Sequence, residues 1–376
     1  MKILDILTLF KQDGNLISLT NQILAEEKEK TNTHLKNIQD SQKAILAAHI
    51  IQNTKTTNLF VLDGLEDALY FVDDLNNINP KIKPLLFPSS ERIEIGDNNI
   101  ILERIDVLQK LRQQKSSVIV TYPKAIKEYL IDKTKFNKHQ FKLKKGQIIN
   151  QDTLVDRLEK LEFQNTEFVL EPGDFCIKGF IIDIFSYSNE YPSRIMLNNN
   201  TIEEISYFKV SDQISIKNLI EIDVVGNIEK IKGDFTGTPT TLFSYIPNNT
   251  NLWIHNANIL LKVEDGRTSN YIDQASLRKL IDNYHCIYSG SINDKNYSNT
   301  ILFDASAQPS FNKNFEILIN HLNEYREKGY KNIITVSSKN QMNQLKHIFK
   351  NYMYLVDLVE CENSLKKGFV DHANKI

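Results

Sequence analysis

The stretch EPGDFCIKGFIIDIFSYSNEYPSRIMLNNNTIEEISYFKVSDQIS, residues 171–215, decides how the rest of the chain is read. With TEFVLEP just before it, it contains the short β-type runs FCIKG, FIIDIFS, SRIMLN and TIEEISYF. Pro172-Gly173, Ser188-Asn189 and Asn198 to Asn200 supply the turns of antiparallel meanders between them. Ile182, Ile184, Ile195 and Leu197 are the expected core positions, and Lys178 and Arg194 are expected to rise from the sheet with their charges free. A sheet face with isolated cations and exposed aromatics suits protein docking, because Arg and aromatic anchors dominate interface hot spots. An ordinary solvated face is the equal alternative.

Upstream, two helices occupy the first thirty residues, with Ile3, Leu4, Leu7 and Phe10, then Leu16, Leu19, Ile23 and Leu24, at helical spacing before a solvated EEKEK end. A strand-and-helix alternation follows. HLKNI leads to SQKAILAAHIIQ, NLFVLDG to LEDALYFVDDL, PLLFP through a polar loop to ILERIDVLQKLRQ, and SVIVTY to PKAIKEYLI. This is the pattern of a doubly wound parallel sheet. Past the Lys-rich stretch Lys133 to Lys145 and the helix DTLVDRLEKLEF, the meander begins, and the α/β alternation resumes with LIEIDVV, LWIH and TILFDA. The middle unit is therefore an insertion. The expected organisation is 1–138, first part of an α/β domain; 139–215, an inserted α+β domain; 216–308, second part of the α/β domain; and 309–376, a partial third α/β domain. The last contains the helix FNKNFEILINHLNEYREKG, the strand NIITVS, the helix NQMNQLKHIF and the strand YMYLVDL, and another strand is expected after GFVDHANKI.

The chain has 376 residues, too many for one ordinary core. Its 45 Lys+Arg against 47 Asp+Glu leave a net charge of −2, which removes the global basic field of a nucleic-acid-coating protein. The three cysteines, Cys176, Cys286 and Cys361, form no CxxC pair, so neither a disulfide framework nor a zinc site is supported, and a reducing cytoplasm fits best. Asp5 and Lys11 interrupt the apolar start, which argues against a signal peptide, and no run reaches the ~20 apolar residues of a membrane helix.

The place for a phosphate cradle is Asn37-Ile38-Gln39-Asp40-Ser41-Gln42-Lys43-Ala44, where GxxxxGK[ST] would wrap phosphates in backbone N–H groups. Of that pattern Lys43 alone survives. Asn37 and Gln42 stand at the glycine positions, Asp40 adds a negative charge, and Ala44 cannot ligate magnesium. A structural strand-to-helix turn is expected, with no cofactor, no metal and no nucleotide hydrolysis, since carboxylates after strands, such as Asp63 and Asp304, lack a paired acid. The eight histidines are scattered, and no nucleophile elbow appears. Phe136 and Phe141 interleave the Lys-rich stretch as in a nucleic-acid surface, against which a solvated inter-domain connection is the plainer reading.

Residues 171–215 also resemble the middle-domain signature shared by the excision-repair protein UvrB and the transcription-repair coupling factor, Mfd. The match comprises Gly173, Phe175, Lys178, Gly179, Ile181, Ile182, Asp183, Ile184, Phe185, Pro192, Arg194, Ile195, Ile202, Ile205, Phe208, Gln213 and Ser215. HLKNIQDSQKAILAA is similar to the degenerate loop of Mfd, VIVTYPKAI to the end of its first sheet, and QPSFNKNF and GFVDH to its third domain. The broken loop, the short segment Ser89 to Asn98 where UvrB inserts a long hairpin, and the Pro309 to Asp371 region all favour Mfd over UvrB.

The resemblance implies a degenerate P-loop (RecA-like) parallel sheet domain with an inserted UvrA-interaction domain. It also implies a non-catalytic adaptor that recruits UvrA to stalled RNA polymerase in transcription-coupled nucleotide excision repair. The family positions that meet UvrA map to Lys178, Arg194 and Asn198; Lys178 keeps the charge without the guanidinium fork, and Asn198 replaces an aromatic anchor. The family's polymerase-interacting domain and two RecA-like motor domains are not in this sequence. It is therefore expected to be an N-terminal piece of a longer product, a monomer that reaches RNA polymerase and DNA only through the missing domains. Two other readings stay open: a UvrB-like nucleotide-dependent DNA damage-binding protein, and an autoinhibitory module for the motor.

Overall fold

The computed structural model describes residues 5–25, 31–90, 99–113, 116–228, 240–262, 270–290, 297–312, 314–350 and 358–376. Ile3 and Leu4, the EEKEK end, most of the Ser89 to Asn98 loop and nearly all of the YMYLVDL strand lie outside the described residues. A seven-stranded sheet organises the molecule. Its spatial order is Asn299–Leu302, Asn32–Lys36, His285–Ser289, Asn251–Ile254, Asn58–Val61, Val118–Thr121 and Leu85–Leu86, and every pairing is parallel. The strands NLFV, VIVT and NLWI are buried along their whole length, so they read as apolar runs without alternation, as strands covered on both faces do.

Chain order and spatial order disagree in an informative way. Two strands from beyond residue 250 lie between Asn32–Lys36 and Asn58–Val61, so the sheet is completed only after the chain has left it and returned. Residues 140–225 make that excursion. They form a six-stranded sheet in the order Ser215–Leu219, Thr201–Phe208, Ser193–Asn198, Ile181–Ile184, Asp174–Lys178 and Gln164–Asn165. Phe175, Ile182, Ile184, Ile195, Leu197, Ile202 and Ile205 line one face and pack with Leu154 and Leu158 of the helix Gln151–Lys160. The four predicted core positions are all buried there.

Two sequence expectations differ from the structure. TEFVLEP, residues 166–172, forms no strand, because the carboxylate of Asp174 accepts the N–H groups of Leu170 and Glu171 (both 3.0 Å) and turns the backbone out of the ladder; only Gln164–Asn165, just before it, pairs, parallel to Asp174–Lys178. Within LIEIDVV, Glu221–Val225 pairs antiparallel with Gln140–Lys144 instead of rejoining the large sheet. Ile222, Val224, Phe141 and Leu143 alternate inward to the second core, and this period-2 burial distinguishes them from a doubly covered parallel strand. The Lys-rich stretch presents no aromatic surface either. Phe136 and Phe141 are buried, and Lys142 and Lys144 pair with Glu221 at 2.7 and 3.0 Å.

The third region has the helices Phe315–Glu327 and Lys339–Phe349 around the parallel pair Asn332–Val336 and Leu358–Glu362. GFVDHANKI itself supplies a strand: Phe369–Asp371 pairs antiparallel with Ala305–Ala307. Among the described residues no helix is long and apolar enough to cross a membrane.

Candidate functional site

The degenerate loop stands where a phosphate cradle would, between the strand Asn32–Lys36 and the helix Gln42–Thr54. A phosphate-binding loop needs free backbone N–H groups. Here those of Gln42, Lys43 and Ala44 are taken by the carbonyls of Gln39, Asp40 and Ser41 at 3.0–3.2 Å, and Asn37 and Asp40 are in the left-handed region (φ 62° and 23°). The side chains turn to other partners. The Ser41 hydroxyl donates to Asp74 (2.5 Å) and accepts from the Lys367 N–H (3.1 Å), while Gln42 donates to Asp371 (2.8 Å). Ala44 is wholly buried. Lys43 donates to His255 Nε2 (2.9 Å), whose Nδ1–H faces Ser289 Oγ (3.0 Å), and Asp63 lies 3.8 Å from the same imidazole.

Electrostatics follow from that burial. Desolvation holds the Lys43 ammonium below the ordinary lysine range, and burial together with the Lys43 charge holds His255 down to about 4, so the imidazole is neutral at pH 7. Burial and the neighbouring Asp67 raise Asp63, and burial pushes Asp74 up to about 6. The cavity lined by Lys43, Phe60, Trp253 and His255 is about 30 Å³, against the ~300–1,000 Å³ of a small-molecule cleft. His255, Asp74 and Asp371 could not be found from the sequence, because none is within 25 residues of the loop that it braces.

The second candidate is the outer face of the inserted sheet. Residues 194, 196 and 198 alternate onto it, and Lys178 joins through its register partner Ile181, which faces Met196. The structure therefore brings Lys178, Arg194 and Asn198 to one face. Arg194 is not free, contrary to expectation. Its Nε and Nη2 donate to the two oxygens of Asp183 (2.9 and 2.8 Å), Nη1 and Nη2 donate to the backbone and side-chain oxygens of Gln213 (3.2 and 3.1 Å), and the guanidinium lies 4.5 Å over the Phe208 ring. Its side chain is only 22% exposed, and hydrogen bonding to Asp183 raises its pKa further.

Asp183, Phe208 and Gln213 belong to the same motif as Arg194, so much of the motif's spacing builds a clasp around the guanidinium. Gly173 has a separate reason: at φ 100°, a Cβ there would meet the Tyr187 hydroxyl at 2.6 Å. Lys178 is the accessible cation of the three positions. Its ammonium lies 3.8 Å over the ring of Phe168, which is itself 55% exposed. Asn198 is exposed at the end of its strand, opposite Thr201. Phe168 and the neighbouring exposed Met196 were not singled out in the sequence, although exposure of large apolar residues is the signal that marks them.

Residues 141–229 match the family described as UvrB interaction domain. The chain is 26% identical over 224 residues to the transcription-repair-coupling factor of Bacillus subtilis (strain 168), a match covering 58% of this chain and 19% of that protein. It is 28% identical over the same length to transcription-repair-coupling factors of Staphylococcus aureus strains bovine RF122 / ET3-1 and MRSA252, covering 58% of this chain and 18% of each. The match thus spans about a fifth of the length of these relatives. The segment inserted in the parallel α/β sheet is thus similar to the UvrB interaction domain, and the module around it is similar to the N-terminal region of the transcription-repair-coupling factors.

Proposed function

We propose that this module is a non-catalytic adaptor that binds UvrA through the outer face of its inserted sheet and so serves transcription-coupled nucleotide excision repair. The observation that carries the reading is the interaction-domain match over 141–229 together with the face on which Lys178, Arg194 and Asn198 meet. Lys178 is the electrostatic contact, and Arg194 shapes the face through its clasp more than it offers charge to a partner. The closed loop at Asn37 to Ala44 supports a role without nucleotide chemistry.

The test is titration of purified UvrA with the 376-residue chain and with Lys178→Glu. Wild-type binding and a loss of about tenfold or more in the variant are expected, as for reversal of one interface charge. Equal binding by both removes Lys178 from the contact, and no binding by the wild type overturns the adaptor reading. Lys178 is a better probe than Arg194, whose replacement would also dismantle the sheet face.

A further inference from the structure

The hairpin between Asp174–Lys178 and Ile181–Ile184 turns in two residues, Gly179 and Phe180. Gly179 is in the left-handed region (φ 63°), as the first central residue of a type II′ turn requires, and this leaves position 180 free of any backbone demand. A phenylalanine stands there, 65% exposed. Nothing in the turn or in either core calls for an aromatic side chain at that position.

Phe180 is nevertheless held in a fixed place. Its carbonyl accepts the Leu197 N–H (2.8 Å), which sets the turn beside the end of the strand Ser193–Asn198, one residue from Asn198. The Gln151 side chain donates to the Gly179 carbonyl (3.0 Å), bracing the turn from the helix whose N-terminus Asn150 caps. On the other side of Asn198 to Asn200, the Ile149 N–H donates to the Asn200 carbonyl (2.8 Å), next to the exposed Ile148. A polar turn at Asn198 is thus flanked by two exposed apolar residues on braced backbone. Such an anchor loses little conformational entropy on binding.

We infer that Phe180 is the aromatic anchor of this docking face, seated in an apolar pocket of UvrA while Lys178, two residues away, meets a carboxylate at the pocket's rim. The inference rests on the adaptor reading and adds the residue that supplies apolar contact where Asn198 offers none. It is tested by measuring UvrA affinity of the full 376-residue chain as wild type, Phe180→Ser, Phe180→Leu and Lys178→Glu, with circular dichroism confirming that each is folded. Phe180→Ser is expected to weaken binding by about tenfold or more, as for a central aromatic hot spot, with Phe180→Leu within about threefold of wild type. Phe180→Ser within twofold of wild type, while Lys178→Glu binds weakly, would overturn the anchor and leave the adaptor reading standing. No binding by the wild type overturns both.

Discussion

Arg194 shows how a residue can be read correctly as special and wrongly as free. A guanidinium on a sheet face would be a strong candidate for carboxylate recognition in a partner, but here the carboxylate is Asp183, on the adjacent strand and in direct register. Bidentate geometry at 2.8–2.9 Å with a side chain only 22% exposed makes this a partly desolvated pair. Removing one partner leaves the other charge uncompensated. Arg194→Ala is expected to lower the stability of the inserted domain by about 2–4 kcal/mol, and Asp183→Ala/Arg194→Ala by less than the sum of the single losses. Arg194→Lys should retain only part of the stability, since an ammonium cannot bridge both oxygens of Asp183 and Gln213 together. Urea unfolding followed by circular dichroism compares the wild type with Arg194→Ala, Asp183→Ala, the double variant and Arg194→Lys, and additive losses would refute the clasp. Lys178 and Phe180 are expected to show the opposite behaviour, with small effects on folding and large ones on binding.

At the scale of elements, the segment Ser364 to Ile376 is fastened to the degenerate loop through Ser41 and Gln42, to the helix Leu65–Ile78, and to Asp13 at the start of the helix Gly14–Ala25. Asn77 donates to the Ser364 carbonyl (2.9 Å), the Lys366 N–H donates to Asp74 (2.8 Å), the Lys366 ammonium pairs with Asp73 (2.9 Å), and Asn374 donates to Asp13 (2.7 Å). Asp74 makes the attachment pH-dependent. Burial raises its pKa from 3.8 to about 6, so between these values the folded chain binds more protons than the unfolded one, and stability falls as pH rises through that window. The two values correspond to about 3 kcal/mol, with the cost fully present above pH 6. Asp74→Asn should therefore gain stability relative to wild type as pH rises from about 4 to 7. Thermal melts of both proteins across that range check it; parallel curves would mean that Asp74 titrates normally.

For the whole molecule, the interleaving of strands from both sides of the insertion leaves a single large sheet that neither flanking segment completes alone. Its carboxyl edge is where doubly wound proteins bind ligands. In this chain that edge is filled by the Lys43, His255 and Asp63 cluster and by the attachment of Lys367 and Asp371 to Ser41 and Gln42. Titration of a fluorescent ATP analogue with magnesium should accordingly show no saturable binding in the micromolar range. Micromolar binding would require the loop to open and would revive a nucleotide-dependent role.

The parallel sheet, its insertion and the inner face of the meander were legible in the sequence, because burial on one or both faces imposes periods that local pattern reports. Ile182, Ile184, Ile195 and Leu197 were found in this way. The broken loop was legible too, since glycine and hydroxyl positions are demands of backbone and metal chemistry on single residues. The assignment of Glu221–Val225 was not: its alternation of Glu221 and Asp223 with Ile222 and Val224 marks a half-buried strand, but alternation does not name the strand that pairs with it. Nor were the partners of Arg194, Gln42 and Lys43. Hydrogen bonds and ion pairs depend on distances of about 3 Å between residues remote in sequence, and only the tertiary fold sets those distances. Local pattern marks the positions that must be buried or turned, whereas the approach of remote side chains settles which cations are paired, as Arg194 is, and which stay exposed, as Lys178 does.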